Sequence, residues 1–184
     1  MTVAKIILAA TLIFTLIFFV FVVYYGGLKT IKVEVREEGG ETVVYESILG
    51  DYRKTGLTMD QVYNYLLKEK KIETFRGFGI YYDNPKQTPK NQLRSEAGCI
   101  VEKPDTGSLA GLPCDMKVKT LPVRKYMVTE FPYLGKLSVI FSLMKVYPAL
   151  EKYAYKHDFA QDGAVTEIYD IPARKIYFRK DLLK

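Results

Sequence analysis

The chain has 184 residues, of which 48% are hydrophobic, and a formal net charge of +6. Its mean hydropathy is close to zero, but this average combines an uncharged N-terminal stretch with a heavily charged remainder. The contrast excludes a wholly soluble chain, a disordered chain and a polytopic membrane protein. Two cysteines are too few for a disulfide-stapled miniprotein.

The N-terminal stretch predicts one membrane-spanning helix. The residues from Ile6 to Val23 carry no charge, and their number matches the hydrocarbon thickness of a bilayer. Tyr24-Tyr25 is typical of the membrane interface, and Gly26-Gly27 ends the helix. A cleaved signal peptide has a shorter apolar core and small residues at its cleavage site. We therefore prefer a retained anchor over residues 1–28 to a signal peptide or a buried core helix.

Orientation follows from charges near the anchor. Lys5 precedes the apolar stretch, whereas Lys29, Lys32 and Arg36 follow it closely. The positive-inside rule therefore favours a cytosolic location for the large C-terminal part. The absence of any N-x-[ST] glycosylation sequon agrees with this orientation.

Two strands are predicted directly after the anchor. Residues 31–36 alternate apolar and polar side chains, and residues 42–48 are rich in β-branched side chains. Gly39-Gly40 turns the chain between them. We interpret 29–40 as a juxtamembrane strand or linker and 41–184 as one domain.

The first half of that domain continues with a helix and two strands. Thr58 is predicted to be the helix N-cap, because the apolar residues after it fall on one helical face. These residues are Met59, Val62, Tyr63, Leu66 and Leu67. Strands are predicted over 77–82 and 94–102, and the stretch 103–116, which contains proline and glycine, is predicted to be a loop.

The second half repeats this order of elements. Strands are predicted over 118–121 and 123–131, and over 165–169 and 175–179 at the end of the chain. Between them, apolar residues at helical spacing predict a long amphipathic helix, or two short ones if Pro148 kinks the helix or starts a second one. The apolar positions are 137, 140, 141, 144, 147, 150 and 154, starting from Leu134.

An internal repeat supports a duplicated domain. Tyr82-Asp-Asn-Pro85 recurs as Tyr169-Asp-Ile-Pro172, and each copy ends a short predicted strand that follows an amphipathic helix. The predicted fold class is therefore α+β, a duplicated β-α-β-β domain with halves of about 41–103 and 117–184, preceded by one transmembrane helix. Junctions between such halves are common ligand sites, which predicts a central cleft at the pseudo-twofold seam.

Four segments together resemble the GyrI-like small-molecule-binding domains, over roughly residues 40–180. They are Gly79-Ile-Tyr-Tyr-Asp-Asn-Pro85, Leu93-Arg94 with Gly98, Phe131-Pro-Tyr133 and Thr166-Glu-Ile-Tyr169. The family implies a duplicated β-α-β-β fold that binds cationic or aromatic small molecules in its cleft. Some members are effector domains of transcription factors, some inhibit gyrase, and a few hydrolyse small electrophiles. The family's pocket carboxylate, on the penultimate strand, corresponds to Glu167.

One subgroup of this family is more similar still. The anchor, Val146-Tyr-Pro-Ala-Leu150 and Tyr153 resemble the membrane-anchored testis-expressed ER-phagy receptors of animals, which implies the endoplasmic reticulum membrane if the source is eukaryotic. Those receptors carry a disordered tail with a motif for the autophagy modifier. This sequence ends at Lys184, so the expectation is a receptor-like domain without that tail. Tyr45-Glu-Ser-Ile48 has the form of such a motif, but we interpret it as part of a strand.

Glu167 and three tyrosines are the predicted ligand-binding residues. Glu167 stands in an apolar strand, where an inward-facing carboxylate needs a partner or a raised pKa; a solvent-facing glutamate on an edge strand is the alternative. Tyr82, Tyr133 and Tyr169 are predicted to line the cleft, because aromatic faces bind flat or cationic ligands. An ordinary core position is the alternative for each tyrosine.

The predicted function is a membrane-anchored receptor or adaptor that binds a small ligand or a protein partner without catalysis. The alternative is a small-molecule hydrolase with Glu167 as general base and a pocket tyrosine. A closed site with Glu167 hydrogen-bonded to a tyrosine hydroxyl would favour the hydrolase, and a shallow open cleft would favour binding. No cofactor, metal or nucleic-acid partner is expected, because His157 and two cysteines form no zinc motif and the domain is only mildly basic.

Overall fold

The computed structural model describes residues 2–102, 107 and 109–183. Its α-helices are α1 (Val3–Tyr24), α2 (Thr55–Lys68) and α3 (Lys136–Lys156). Its strands are β1 (Glu34–Glu38), β2 (Thr42–Leu49), β3 (Arg76–Tyr81), β4 (Arg94–Val101), β5 (Met116–Thr120), β6 (Arg124–Pro132), β7 (Val165–Asp170) and β8 (Lys175–Asp181). The predicted loop 103–116 lies partly outside the described residues, and its described positions 109–115 include turns.

α1 stands apart from the domain. Its 22 residues bury no side chain within the protein, and by length and composition it is able to cross a membrane. At 1.5 Å per residue it is about 33 Å long. A signal sequence near the N-terminus meets the same criteria.

The strands form one antiparallel sheet in the order β1-β6-β8-β7-β3-β4-β2-β5. The modules β2-α2-β3-β4 and β6-α3-β7-β8 repeat the same order of elements, and each module keeps its three strands side by side. β3 pairs with β7, so the seam between the halves runs between these two strands. The predicted α+β class is confirmed.

A long two-stranded ribbon ties the two halves together. β1 pairs with β6 and β2 pairs with β5 in the same antiparallel register. Where the strands cross between halves, Gly40 N donates to Leu121 O and Leu121 N donates to Glu41 O, both at 2.8 Å. Residues 29–40, predicted as a juxtamembrane strand or linker, therefore supply β1 to the sheet of the domain.

The predicted N-cap of α2 differs from the structure, and the structure has the first of the two alternatives predicted for α3, one long helix. Asp51, rather than Thr58, acts as a cap: its side chain accepts from Arg53 N at 3.0 Å and begins a 3-10 turn that leads into α2. α3 runs as one helix through Pro148, although an internal proline costs about 3 kcal/mol. Val146 and Leu150 on either side of it are buried against the sheet, and that packing offsets the cost.

The two domain helices bury equivalent residues at four-residue spacing. In α2 these are Thr58, Val62 and Leu66, and in α3 they are Ser142, Val146 and Leu150. The apolar stripe predicted for α3 does not follow this buried face throughout. Leu150 and Ala154 are buried, whereas Leu137, Ile140 and Met144 are exposed.

Candidate functional site

The seam between β3 and β7 places a glutamate opposite two glycines. Gly79 pairs with Glu167, and Gly77 pairs with Tyr169. Glycines leave space above the sheet on the side of the helices, and the ring of Tyr81 fills part of it: a Cβ at Gly79 would lie 3.0 Å from Tyr81 Oη. The seam is therefore covered by tyrosine rings rather than by aliphatic side chains.

Glu167 is 2% exposed and both of its carboxylate oxygens are occupied. Tyr147 Oη, from α3, donates to Oε1 at 2.7 Å, and Tyr169 Oη donates to Oε2. In the described part of the chain, no lysine or arginine forms an ion pair with Glu167. Burial raises the pKa of Glu167, and the two tyrosine hydrogen bonds offset only part of that rise.

Further tyrosines surround this buried acid. The hydroxyls of Tyr81 and Thr55 lie 3.2 Å apart, and the rings of Tyr52 and Tyr81 meet edge to face with centroids 4.9 Å apart. Burial, and then the nearby Glu167 charge, raise the pKa values of Tyr81, Tyr147 and Tyr169. These phenols stay protonated and are available as hydrogen-bond donors.

The structure brings three of the four predicted binding residues together. The ring of Tyr133 lies 5.8 Å from that of Tyr169, which donates to Glu167. Tyr82 lies on the other face of the sheet, where it borders, together with Glu96, a hollow of about 350 Å³. The role of each residue in ligand binding stays a prediction.

The displacement of Tyr82 has a geometric cause. The repeated motif aligns Tyr82 with Tyr169, but adjacent residues of a strand point to opposite faces, so a shift of one residue exchanges the faces. Tyr81 shares the face of Gly79 and is therefore the counterpart of Tyr169. Alternation counted from the two glycines could have identified Tyr81.

Tyr147 is a second site residue that the sequence interpretation did not assign. The sequence places it only in the apolar stripe of the amphipathic helix, whereas in the structure its hydroxyl reaches Glu167. Its position between Val146 and Leu150, both fully buried, is the signal that could have placed it near the sheet. No group of three His, Cys, Asp or Glu side chains suited to a metal occurs among the described residues.

Comparison with known proteins places this fold in a family. The sequence profile of the GyrI-like small molecule binding domain matches residues 32–176. The chain belongs to the GyrI-like family. No curated protein matches it significantly in sequence.

Solved structures share the GyrI-like fold at low identity. EcmrR in a DNA complex has a TM-score of 0.61 and 11% identity, over 84% of this chain and 58% of EcmrR. SAV2435 bound to tetraphenylphosphonium has a TM-score of 0.51 and 14% identity, over 82% and 93% of the two chains. A hydrolase encoded by lin2189 from Listeria innocua has a TM-score of 0.51 and 10% identity, over 81% and 90%. This GyrI-like chain thus spans little more than half of EcmrR.

Replacing Tyr147 by phenylalanine tests the hydrogen bond to Glu167. We expect Tyr147→Phe to lose about 1–3 kcal/mol of stability, because a buried acceptor oxygen of Glu167 loses its donor. Tyr155→Phe is the matched control, since Tyr155 lies on the same helix and is 83% exposed. Thermal denaturation of the full chain measures both; equal melting temperatures for the two variants would contradict the prediction.

Proposed function

We propose that this protein is a membrane-anchored receptor for a lipophilic or aromatic cation, which binds at Glu167 between α2 and α3. The observation that carries the proposal is the burial of Glu167 without an ion-pair partner in the described chain. A buried carboxylate is costly unless a positive charge accompanies it. A ligand cation would supply that charge, and the tyrosine rings would stack against it.

Ligand entry requires the site to open. The central cleft predicted from the sequence is filled here by tyrosines, and both Glu167 oxygens are occupied by hydroxyls. Because Glu167 is 2% exposed beneath these side chains, a cation reaches the carboxylate only after Tyr147 or Tyr169 moves aside. Because Tyr147 belongs to α3, a movement of this helix is the simplest route of opening.

The membrane part of the proposal rests on α1 and on the resemblance to the ER-phagy receptor subgroup. α1 would cross the endoplasmic reticulum membrane, with the domain in the cytosol. In protease protection of sealed, cytosol-side-out vesicles, we expect a C-terminal tag to be degraded; a protected tag would refute this orientation. Tyr45–Ile48 does not support an autophagy-modifier contact, because Tyr45 and Glu46 are paired on both edges, with β4 and with β5, which leaves no free edge for strand addition at these two residues.

The ligand class is tested with tetraphenylphosphonium, the compound bound to the structural neighbour SAV2435. The full chain in nanodiscs is dialysed against this cation. Comparing variants in identical nanodiscs cancels the fraction of the cation that dissolves in the lipid. We expect Glu167→Gln to weaken binding at least tenfold, which is about 1.4 kcal/mol. Tyr82→Phe, on the other face of the sheet, is the matched control and should bind as the wild type does. Equal affinity of wild type and Glu167→Gln would refute the proposed site.

A hydrolase is the second candidate, and the closed site favours it. Glu167 is hydrogen-bonded to two tyrosine hydroxyls, and its raised pKa lies closer to the range that a general base needs near neutral pH. A structural neighbour is a hydrolase. Turnover of p-nitrophenyl acetate that is present in wild type and Tyr82→Phe, and lost in Glu167→Gln, would support this activity. Cation binding without turnover would support the receptor.

A further inference from the structure

The first half of α3 exposes an apolar face. Ile140 is 54% exposed and Met144 is 69% exposed, and Leu137 and Leu143 are also open to the outside. The opposite side of the same turns faces the sheet through small, buried serines, Ser138 and Ser142. This half of α3 therefore carries four of its large apolar side chains on the outer surface.

The fold itself does not require this exposed face. α2 occupies the equivalent place in the first half of the duplicated domain, and the buried residues Val62 and Leu66 correspond to Val146 and Leu150. With the helices aligned on these residues, the outer positions can be compared directly. Leu137 corresponds to Arg53, in the 3-10 turn that leads into α2, and Ile140 and Met144 correspond to Gly56 and Asp60 of α2. α2 thus exposes one large apolar side chain, Leu57, whereas the first half of α3 exposes a cluster of four.

The exposed face lies beside the end of α1. Lys145 Nζ, on α3, donates to Gly27 O at 2.5 Å. The Phe141 ring lies 3.4 Å from the position of a Cβ at Gly27, and the backbone of Gly26, with φ +83°, packs against Phe131. The chain that leaves α1 is therefore fixed on α3 and β6 rather than joined to them by a free linker.

The position of α1 sets the depth of α3. The headgroup region accounts for about 5–8 Å on each side of the hydrocarbon core. Gly26-Gly27 follows Tyr24-Tyr25, the aromatic pair at the end of the apolar helix, so its neighbours on α3 lie at headgroup level if α1 spans the bilayer. The stretch from Leu137 to Met144 is about 10 Å long, which keeps the whole exposed face close to the membrane surface.

We propose that the first half of α3 lies on the membrane that α1 crosses, with Leu137, Ile140 and Met144 in the interface between headgroups and acyl chains. The proposal rests on the proposed function, since it requires α1 to span the bilayer. Interfacial helices bury an apolar face in this way and keep cationic residues at headgroup level. Lys136, which is exposed at the start of α3, is suitably placed for such a contact.

Membrane contact also bears on access to Glu167. Tyr147 lies about one helical turn beyond Met144 on the same helix, and its hydroxyl covers the Glu167 carboxylate. Lipid contact therefore acts on the helix that closes the site.

Spin-label accessibility tests the proposal on the full chain in vesicles of phosphatidylcholine and phosphatidylserine. Labels are introduced as Ile140→Cys, Leu57→Cys and Phe14→Cys in a Cys114→Ser background; the other cysteine, Cys99, is buried. Leu57 is the matched control, because it is 67% exposed on α2. We expect the labels at 140 and 14 to collide mainly with dissolved oxygen, and the label at 57 mainly with a water-soluble nickel chelate.

Each other outcome overturns the inference in a distinguishable way. Oxygen contact at 14 with nickel contact at 140 would leave the anchor in place and refute the lipid contact of α3. Nickel contact at 14 would refute both the anchor and the inference. A label at 140 that is shielded from both reagents would show that protein, such as a second copy of the chain, covers this face instead of lipid.

Discussion

Glu167→Gln is expected to raise the melting temperature of the full chain at neutral and alkaline pH, and to leave it almost unchanged in acid. Burial holds the folded-state pKa of Glu167 above its unfolded value. The folded protein therefore favours the protonated carboxyl, whose contribution is fully present below the unfolded pKa and is lost as pH rises through the folded pKa. Glutamine has a similar shape, carries no charge and avoids that loss.

The size of the effect follows from linkage. Each unit by which the folded-state pKa exceeds the unfolded one is worth about 1.4 kcal/mol above both pKa values, and each kcal/mol shifts the melting temperature of a chain of this size by about 2–4 °C. Thermal melts followed by circular dichroism, from about pH 4 to about pH 9, would measure the difference in melting temperature between Glu167→Gln and the wild type. Glu130→Gln is the control, because Glu130 is a half-exposed partner of Lys175 and its loss should give no such gain.

The stability of Glu167→Gln is compared with its affinity for the cation, because the two results together separate a functional role of Glu167 from a structural one. A substitution that stabilises the fold and removes cation binding identifies a carboxylate retained for function at the expense of stability. If Glu167→Gln lowered the melting temperature across the whole pH range, the glutamate would instead be a structural hydrogen-bond acceptor.

Local periodicity predicted the order of elements in the domain because each element depends on its own residues. The alternation around Glu167 and the β-branched run 42–48 are such local signals, and both stretches are strands. Glu167 itself was found because a carboxylate in an apolar strand is conspicuous.

Local sequence signals do not show which strands pair with each other or which face of the sheet a side chain occupies. Nothing in residues 34–38 indicates that β1 pairs with β6 of the other half, because that pairing depends on two strands crossing at Gly40 and Leu121. The assignment of Tyr82 instead of Tyr81 reflects a one-residue offset that only the register of β3 and β7 resolves. The apolar stripe of α3 suggested a core face, whereas its first half lies outside, because small serines fill the space against the sheet.

Arg179→Ala is expected to cost about 3–5 kcal/mol, the loss found when one partner of a buried ion pair is removed. Arg179, on β8, is 7% exposed. Its Nη2 lies 2.7 Å from Glu41 and 2.9 Å from Glu38, the two residues that flank the Gly39-Gly40 bend. The guanidinium therefore joins the crossing of the ribbon to the sheet. Its removal leaves Glu41 without its ion-pair partner and Glu38 with only the longer contact to Arg36, at 3.4 Å.

The pH dependence distinguishes this loss from simple loss of packing. Burial tends to raise the pKa of Glu41, but hydrogen bonding and the charge of Arg179 lower it overall. The stabilisation is therefore present above the unfolded pKa of Glu41 and is lost as pH falls through the lower folded pKa. The stability deficit of Arg179→Ala should accordingly be largest near neutral pH and shrink in acid, where Glu41 becomes protonated.

Denaturant unfolding of the full chain, compared with two variants, completes this test. Arg53→Ala removes an ion pair with Asp51 at the protein surface and should change stability far less than Arg179→Ala does, because solvent screens exposed pairs. Adding Glu38→Gln and Glu41→Gln to Arg179→Ala should recover part of the lost stability, since the repelling charges are removed. A deficit that stays constant with pH and is not relieved by these glutamines would contradict the prediction. It would mean that Arg179 stabilises the fold through the packing of its aliphatic stem, and not through its charge beside Glu38 and Glu41.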